Sequence, residues 1–380
     1  MAKQVILAVA GAGKTYHICR AINKDEKNLI LAYTHENIRN IKRELIEAHG
    51  TIPMLTNVMT FSSFVYRFLL RPYEPTILRH FGRETFKSKG VTTSDPPPQQ
   101  IRVPGGRYIA NRDYVPKNRL EHYVNRIGQY YCSNLSELIL HVRQNRDTLV
   151  KRAALSINEF YDTVSIDEFQ DFREYDYDLI VALARQIDNV LLVGDYYQHS
   201  VSAVNNTGKP FESRSGDVNY ESYKQALKDQ NLDVDDSTLK ASRRCCREIC
   251  DYVKQKLLVD IESANEDCGH IIWLEENIEP VLDNDSITKL VFNNANTYSF
   301  KAINWSYSKG DTISSVCVIL TDRFETLRED SFECAGIPRS TINKLYVAMT
   351  RTKGDLYIIR SSVFRSIRTK YLKETMVRAD

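Results

Sequence analysis

The sequence predicts an α/β protein built on parallel β-sheets with helices on both faces, and three observations carry that expectation. Short, unbroken apolar runs recur at 5–9, 29–33, 164–166, 190–193, 316–320 and 356–359. Helical patterns lie between them. A strand buried on both faces reads as such a run, whereas a strand with one wet face alternates apolar and polar residues. The first run also passes through a glycine turn straight into a helical pattern starting at Lys14, the order of a parallel unit.

The 380 residues are enough for two domains with their own cores. Hydrophobic residues make up 42% and charged residues 26%, the balance of a soluble globular protein. No apolar run reaches the ~18 residues of a membrane span, so no membrane partner is expected. The net charge of +2 does not by itself announce a polyanionic partner. Eight cysteines without a C-x-x-C pair point to a reducing, cytoplasmic setting. Cys245, Cys246 and Cys250, with Cys268 and His270 beyond, lack zinc spacing, and the clustered thiols read as small buried groups.

In chain order, the opening run leads into the glycine turn and reads as a first strand rather than a secretory leader. The run at 29–33 is followed by a helical pattern through Leu45. From about Arg71 to Arg119 the chain carries T-T-S-D-P-P-P-Q-Q and R-V-P-G-G-R-Y, both rich in turn formers. That stretch reads as an insertion or irregular subdomain, extending to about 150. A second turn-rich stretch, 205–216, precedes a boundary near 235, and no internal repeat is found.

The segment A-V-A-G-A-G-K-T at 8–15 fits the phosphate-loop pattern except for Ala8 at the first glycine position. In such a loop, backbone N–H groups (here around Gly11, Ala12 and Gly13) and the helix N-terminus cradle phosphates. Lys14 is expected to reach the β- and γ-phosphates and the Thr15 hydroxyl to coordinate magnesium, so ATP and Mg2+ are the expected cofactors. The run at 164–166 ends in Asp167-Glu168-Phe169-Gln170-Asp171. Ligands of a parallel sheet sit at the strand C-terminal ends. Asp167 is therefore expected to hold Mg2+, and Glu168 to orient and deprotonate an attacking water.

With A-G-A-G-K-T and D-E-F-Q-D in this order, the chain resembles the UvrD/Rep family of superfamily 1 DNA helicases. L-A-Y-T-H-E-N-I-R-N-I-K-R-E-L (31–45) is similar to the family's first DNA-contacting segment, and T-F-S-S-F (60–64) to its T-F-H-S-F. L-L-V-G-D-Y-Y-Q (191–198) resembles V-G-D-x-x-Q, and L-K-A-S-R-R-C-C-R-E-I (239–249) resembles L-x-x-N-Y-R-S-x-x-x-I. S-Y-S-K-G-D-T (306–312) and K-L-Y-V-A-M-T-R-T-K (344–353) are similar to the last two motifs.

The resemblance implies two RecA-like parallel-sheet domains, the first over 1–235 with the insertion at about 71–150. The second, over 236–380, would have no large insertion. It implies that Gln198, Arg244 and Arg351 join Asp167 and Glu168 in catalysis, with Arg243 and Gly310 beside the nucleotide. It further implies nucleic-acid contacts at Thr34, His35, Asn37, Thr60, Phe61, Phe64 and Ser306. The implied activity is an ATP-dependent 3′–5′ helicase or translocase on wholly or partly single-stranded DNA.

Departures from the family pattern shape these expectations. Seven residues precede Ala8, where the family carries an adenine-recognition glutamine motif, and Arg243 stands in place of the adenine-stacking aromatic. Nucleotide selection is expected to be relaxed, since a guanidinium plane can still stack on a base. His35 replaces a phenylalanine, and Val201 and Ala203 fall where the family has base-stacking aromatics. Tyr196, Tyr197, Phe61, Phe64 and Trp305 are the candidate substitutes. Thr312 replaces a glutamate, and about sixty residues between Arg244 and Ser306 are too few for the family's second inserted subdomain. A second reading is therefore an ATPase switch that binds nucleic acid and regulates a partner enzyme such as a nuclease. A small-molecule kinase would not need Gln198, Arg244 and Arg351.

Overall fold

The computed structural model describes residues 3–144, 147–199, 208–213, 216–265 and 269–373. Val201, Ala203 and Cys268 lie outside the described residues. The first half forms a parallel sheet from β1 (Gln4–Leu7), β2 (Asn28–Ala32), β3 (Thr56–Thr60), β4 (Thr163–Ile166), β5 (Val190–Gly194) and β6 (Asp233–Asp235). Their spatial order is β6-β1-β5-β4-β2-β3. The central strands β2, β4 and β5 are buried along their whole length and β1 in all but its first residue, which explains their unbroken apolar sequence. The edge strands β3 and β6 are partly exposed and carry polar residues, so no apolar run marked them.

Strand β7 (Ala241–Cys246) pairs in parallel with β8 (Glu262–Asn265). A second parallel sheet follows, from β9 (Ile271–Leu274), β10 (Thr288–Val291), β11 (Ala302–Asn304), β12 (Val316–Ile319) and β13 (Leu356–Ile359), in the order β9-β13-β12-β10-β11. Side chains alternate across it: Val316 and Val318 join the large core, whereas Cys317 and Ile319 face a smaller cluster around Phe300 and Phe364. β10 escaped the apolar signal because Lys289 interrupts it. That lysine is fully buried, its ammonium donating to the carbonyls of Asn284 and Ile287. The fold is thus α/β with two parallel sheets, as the sequence predicted.

Helix α1 (Lys14–Ala21) follows β1, and α2 (His35–His49) follows β2. α2 is bounded by its own sequence. Thr34 and Asn37 form a reciprocal capping box, and Gly50 ends the helix in the left-handed region with its amide on the Ile46 carbonyl. Helix α3 (Glu174–Ala184) lies between β4 and β5, α4 (Arg247–Leu257) follows β7, and α5 (Arg339–Met349) precedes β13. Between β3 and β4, the turn-rich stretch supplies short helices and small ribbons, among them Gln100–Arg102 paired with Tyr108–Ala110. Cys245, Cys246 and Cys250 are buried thiols. Among the described residues, no helix is long and apolar enough to cross a membrane.

Candidate functional site

The loop after β1 turns through Gly11 and Gly13, both at positive φ (73° and 86°), and Gly13 begins α1. Ala8 keeps a negative φ, so alanine at the first glycine position costs the loop no backbone strain. Gly11 has a second reason to be glycine. A Cβ there would lie 2.6 Å from Ser242 Oγ and 2.7 Å from Arg244 Cβ, because β7 passes directly against the loop. The Arg243 amide donates to the Gly11 carbonyl at 2.9 Å.

The acids at the end of β4 meet this loop. Thr15 Oγ1 donates to Asp167 Oδ2 at 2.7 Å, and Lys14 Nζ lies 3.7 Å from Glu168 Oε1. Asp167 Oδ1 accepts the Glu168 amide at 2.9 Å. Glu168 adopts the left-handed backbone (φ 53°), an unfavourable region for a residue with a Cβ and one often retained at functional sites. Gln170 locks this turn: its side-chain nitrogen donates to the Glu168 carboxylate, and its oxygen accepts the Asp195 amide at 2.8 Å. A Cβ at Gly194 would sit 2.8 Å from that oxygen, so β5 needs glycine there for the lock to close.

Both acids are buried, and their electrostatics differ. Burial opposes the charge on Glu168, but Lys14, Lys309, Gln170 and Arg351 outweigh it and hold the carboxyl below the usual range. Burial and the neighbouring Glu168 charge push Asp167 up, against the opposing effect of Thr15 and Lys14. A buried carboxylate short of positive charge, with a hydroxyl oxygen 2.7 Å away, is a hard-oxygen donor pair that fits a magnesium ion.

The second half of the chain reaches the same place. The Tyr346 hydroxyl, on α5, accepts the Ala10 amide at 2.7 Å and donates to Asp195 Oδ2 at 3.1 Å. Burial and Asp195 keep that phenol protonated. Arg244 donates from Nε to Thr312 Oγ1 at 3.0 Å and from Nη1 to the Thr350 carbonyl at 3.1 Å. Thr312 thus has a partner in the very arginine of the preceding motif. Arg351 is buried, with Nε on the Val347 carbonyl (2.9 Å) and Nη1 on the Ser308 carbonyl (3.4 Å). Its Nη2 has no acceptor among the described residues. Burial and the nearby Arg244 lower its pKa to about 10, and the charges of both arginines are felt at Glu168. Gln198 is buried in the turn after β5.

Residues 2–203, more than half of the chain, match the model of an AAA domain. The chain belongs to the AAA domain family. No curated protein matches its sequence. Among solved structures, the helicase of PRRSV is similar at 13% identity with a TM-score of 0.45, over 97% of this chain and 54% of that one. An arterivirus nonstructural protein 10 (helicase) in complex with DNA is similar at 14% identity and TM-score 0.44, over 94% and 60%. This chain spans a little over half the length of both.

Around the AAA domain's phosphate loop, sequence reasoning missed two aromatic residues. Tyr346 is one. Tyr16 is the other: its half-exposed ring lies 4.4 Å from the Arg20 guanidinium and 5.4 Å from that of the exposed Arg243. Its only signal was its position after Thr15. Gly310 is exposed, at φ 89°.

The expected nucleic-acid residues separate into two groups. Thr34, His35 and Asn37 cluster at the start of α2, with Thr34 and His35 exposed, and Ser306 is half-buried in the turn after β11. Thr60 is buried and caps the following helical turn by accepting the Ser63 amide. Phe61 and Phe64 are corrected: at 3% and 1% exposure they are core, with Phe61 edge-on to Phe172 at 5.0 Å, so neither ring is open to a base. Trp305 is fully buried with its indole N–H on the Leu290 carbonyl, and Tyr196 and Tyr197 are core as well. Exposed rings stand instead at the neighbours Tyr33 (49%) and Tyr307 (77%), each one position from a residue the motifs singled out.

Tyr346→Phe removes only the hydroxyl joining α5, the loop and Asp195. It is expected to lower turnover at saturating ATP by roughly ten- to a hundredfold, since small misplacements of a reacting group cost that much. The far-UV circular dichroism spectrum should be unchanged. Steady-state kinetics check this, and an unaltered kcat would reduce the hydroxyl to a packing detail.

Proposed function

We propose that the chain is an ATP-driven motor on single-stranded DNA, of the UvrD/Rep-type superfamily 1 class that its motifs resemble, moving 3′ to 5′. The first domain would span 1–235 with an insertion at about 71–150, and the second 236–380. The observation that carries this reading is the meeting of both halves at one site. Lys14, Asp167 and Glu168 come from the first sheet, Arg244 and Arg351 from the second half, and Tyr346 and Arg243 bond the loop itself.

In this reading the amides of Gly11, Ala12 and Gly13 and the Lys14 ammonium bind the nucleotide phosphates. Thr15 and Asp167 would hold magnesium, which when bound supplies positive charge against the phosphate oxygens. Glu168, charged and fixed by Gln170, takes the proton of the attacking water. Arg351 Nη2, buried without an acceptor among the described residues, offers a donor to the γ-phosphate oxygen, and Arg244 and Gln198 would join it there. Tyr16 and Arg243 form the surface on which a base stacks. Cations from one half acting on a nucleotide held by the other tie hydrolysis to relative movement of the halves. Thr34, His35, Asn37 and Ser306 contact the strand, with Tyr33 and Tyr307 as its exposed stacking rings.

The burial of Phe61, Phe64 and Trp305 favours a second reading, a nucleic-acid-binding ATPase switch that regulates a partner such as a nuclease without processive unwinding. Hydrolysis by the purified chain, with and without single-stranded DNA, tests the motor. Stimulation of about tenfold or more is expected, within the usual range of coupling between sites. Turnover indifferent to both DNA and RNA would overturn the motor and leave the switch.

A further inference from the structure

Positive charge is concentrated in one part of the chain. Residues 83–119 hold eight lysines and arginines against three acids, a net +5 in a protein whose total is +2. At the tip of this stretch, Gln100–Arg102 pairs antiparallel with Tyr108–Ala110 around Gly105 and Gly106, both at positive φ. The register sets Arg102 opposite Tyr108 on one face and Ile101 opposite Ile109 on the other.

All six strand residues are exposed, and the Tyr108 ring is 65% exposed. A lone two-stranded hairpin is marginal in water. Here it leaves an aromatic ring and two isoleucines uncovered, a surface that gains from a partner. Its cations are equally uncommitted. Arg83, Lys117 and Arg119 are paired with Glu121 or Glu137. Arg102, Arg107 and Arg112 have no ion pair among the described residues.

We propose that this hairpin, with Arg112 at its base, grips a single nucleic-acid strand, the three guanidinium groups on phosphates and the Tyr108 ring on an unstacked base. Guanidinium forks match phosphate oxygens, and an exposed ring beside them is the combination that holds single strands. The proposal rests on the nucleic-acid reading above and adds a contact remote in sequence from the phosphate loop and its acids. A single strand fits better than a duplex because stacking on Tyr108 requires a free base face.

The test is fluorescence anisotropy of a 5′-fluorescein oligo(dT) titrated with the full chain over a series of KCl concentrations. Simultaneous Arg102→Ala, Arg107→Ala and Arg112→Ala should reduce the slope of log affinity against log salt by about 2, from three single-strand phosphate contacts. Tyr108→Ala should weaken binding roughly fivefold or more with the slope kept, and Tyr108→Phe should retain affinity. DNA-independent ATP turnover should be unchanged in all of them. Wild-type affinity and slope in the arginine variant would overturn the proposal while leaving the motor intact. Failure of the wild-type chain to bind any oligonucleotide would overturn the nucleic-acid reading itself. Equal losses on a labelled duplex, with Tyr108→Ala silent, would overturn the single-strand assignment.

Discussion

Glu168→Gln is expected to lower ATP hydrolysis by about 10²–10⁴-fold, the usual contribution of a positioned base, while nucleotide binding survives. The substitution is nearly isosteric, and Gln170 can still donate to the side-chain oxygen that remains. What disappears is the negative charge that Lys14, Lys309 and Arg351 stabilise, and with it the capacity to take a proton. Loss of that charge also leaves Lys14 without its 3.7 Å partner, so ATP affinity should hold or rise. Turnover and equilibrium binding of a fluorescent ATP analogue, measured on the same preparation, separate the two effects. Turnover near wild type would remove Glu168 from the chemistry. Loss of the folded circular dichroism signal would make the carboxylate a structural member of the buried turn.

Arg351→Ala should cut turnover by about 10³-fold or more if its guanidinium neutralises charge on the transferring phosphate. The geometry argues for this over a packing role. A buried arginine normally has its donors satisfied, because an unpaired buried donor costs about 1–3 kcal/mol. Arg351 satisfies Nε and Nη1 within its own half and leaves Nη2 without an acceptor among the described residues. It also sits near enough to Arg244 for the second charge to lower its pKa, an arrangement that an arriving polyanion would relieve. Since truncation of a buried arginine risks the fold, Arg351→Lys is the companion variant. It keeps the charge but loses the fork, so a large fall in kcat with an intact thermal midpoint is expected. A drop below about twofold in both variants, against the 10³-fold scale of an arginine finger, would return the residue to a structural role.

The chain's own order of residues determined the fold class, the phosphate loop and the acids at the end of β4. Each is a local pattern: a few contiguous residues suffice to bury a strand, free an amide for phosphate or end a strand in carboxylates. Four of the apolar runs became central strands of the first sheet and two became strands of the second, while polar or lysine-bearing strands such as β6 and β10 gave no such signal. The tertiary structure alone decided what depends on neighbours far along the chain. Ala10 and Tyr346 are 336 positions apart, yet share a hydrogen bond, and Gly11 must lack a side chain because β7 crosses it. Phe61, Phe64 and Trp305 carried the composition of base-stacking residues but lie in the core, and Tyr33, Tyr307 and Tyr108 are among the rings left in water. An aromatic side chain fills a core and stacks on a base by the same apolar surface, so sequence cannot separate the two roles; only the packing around each ring does.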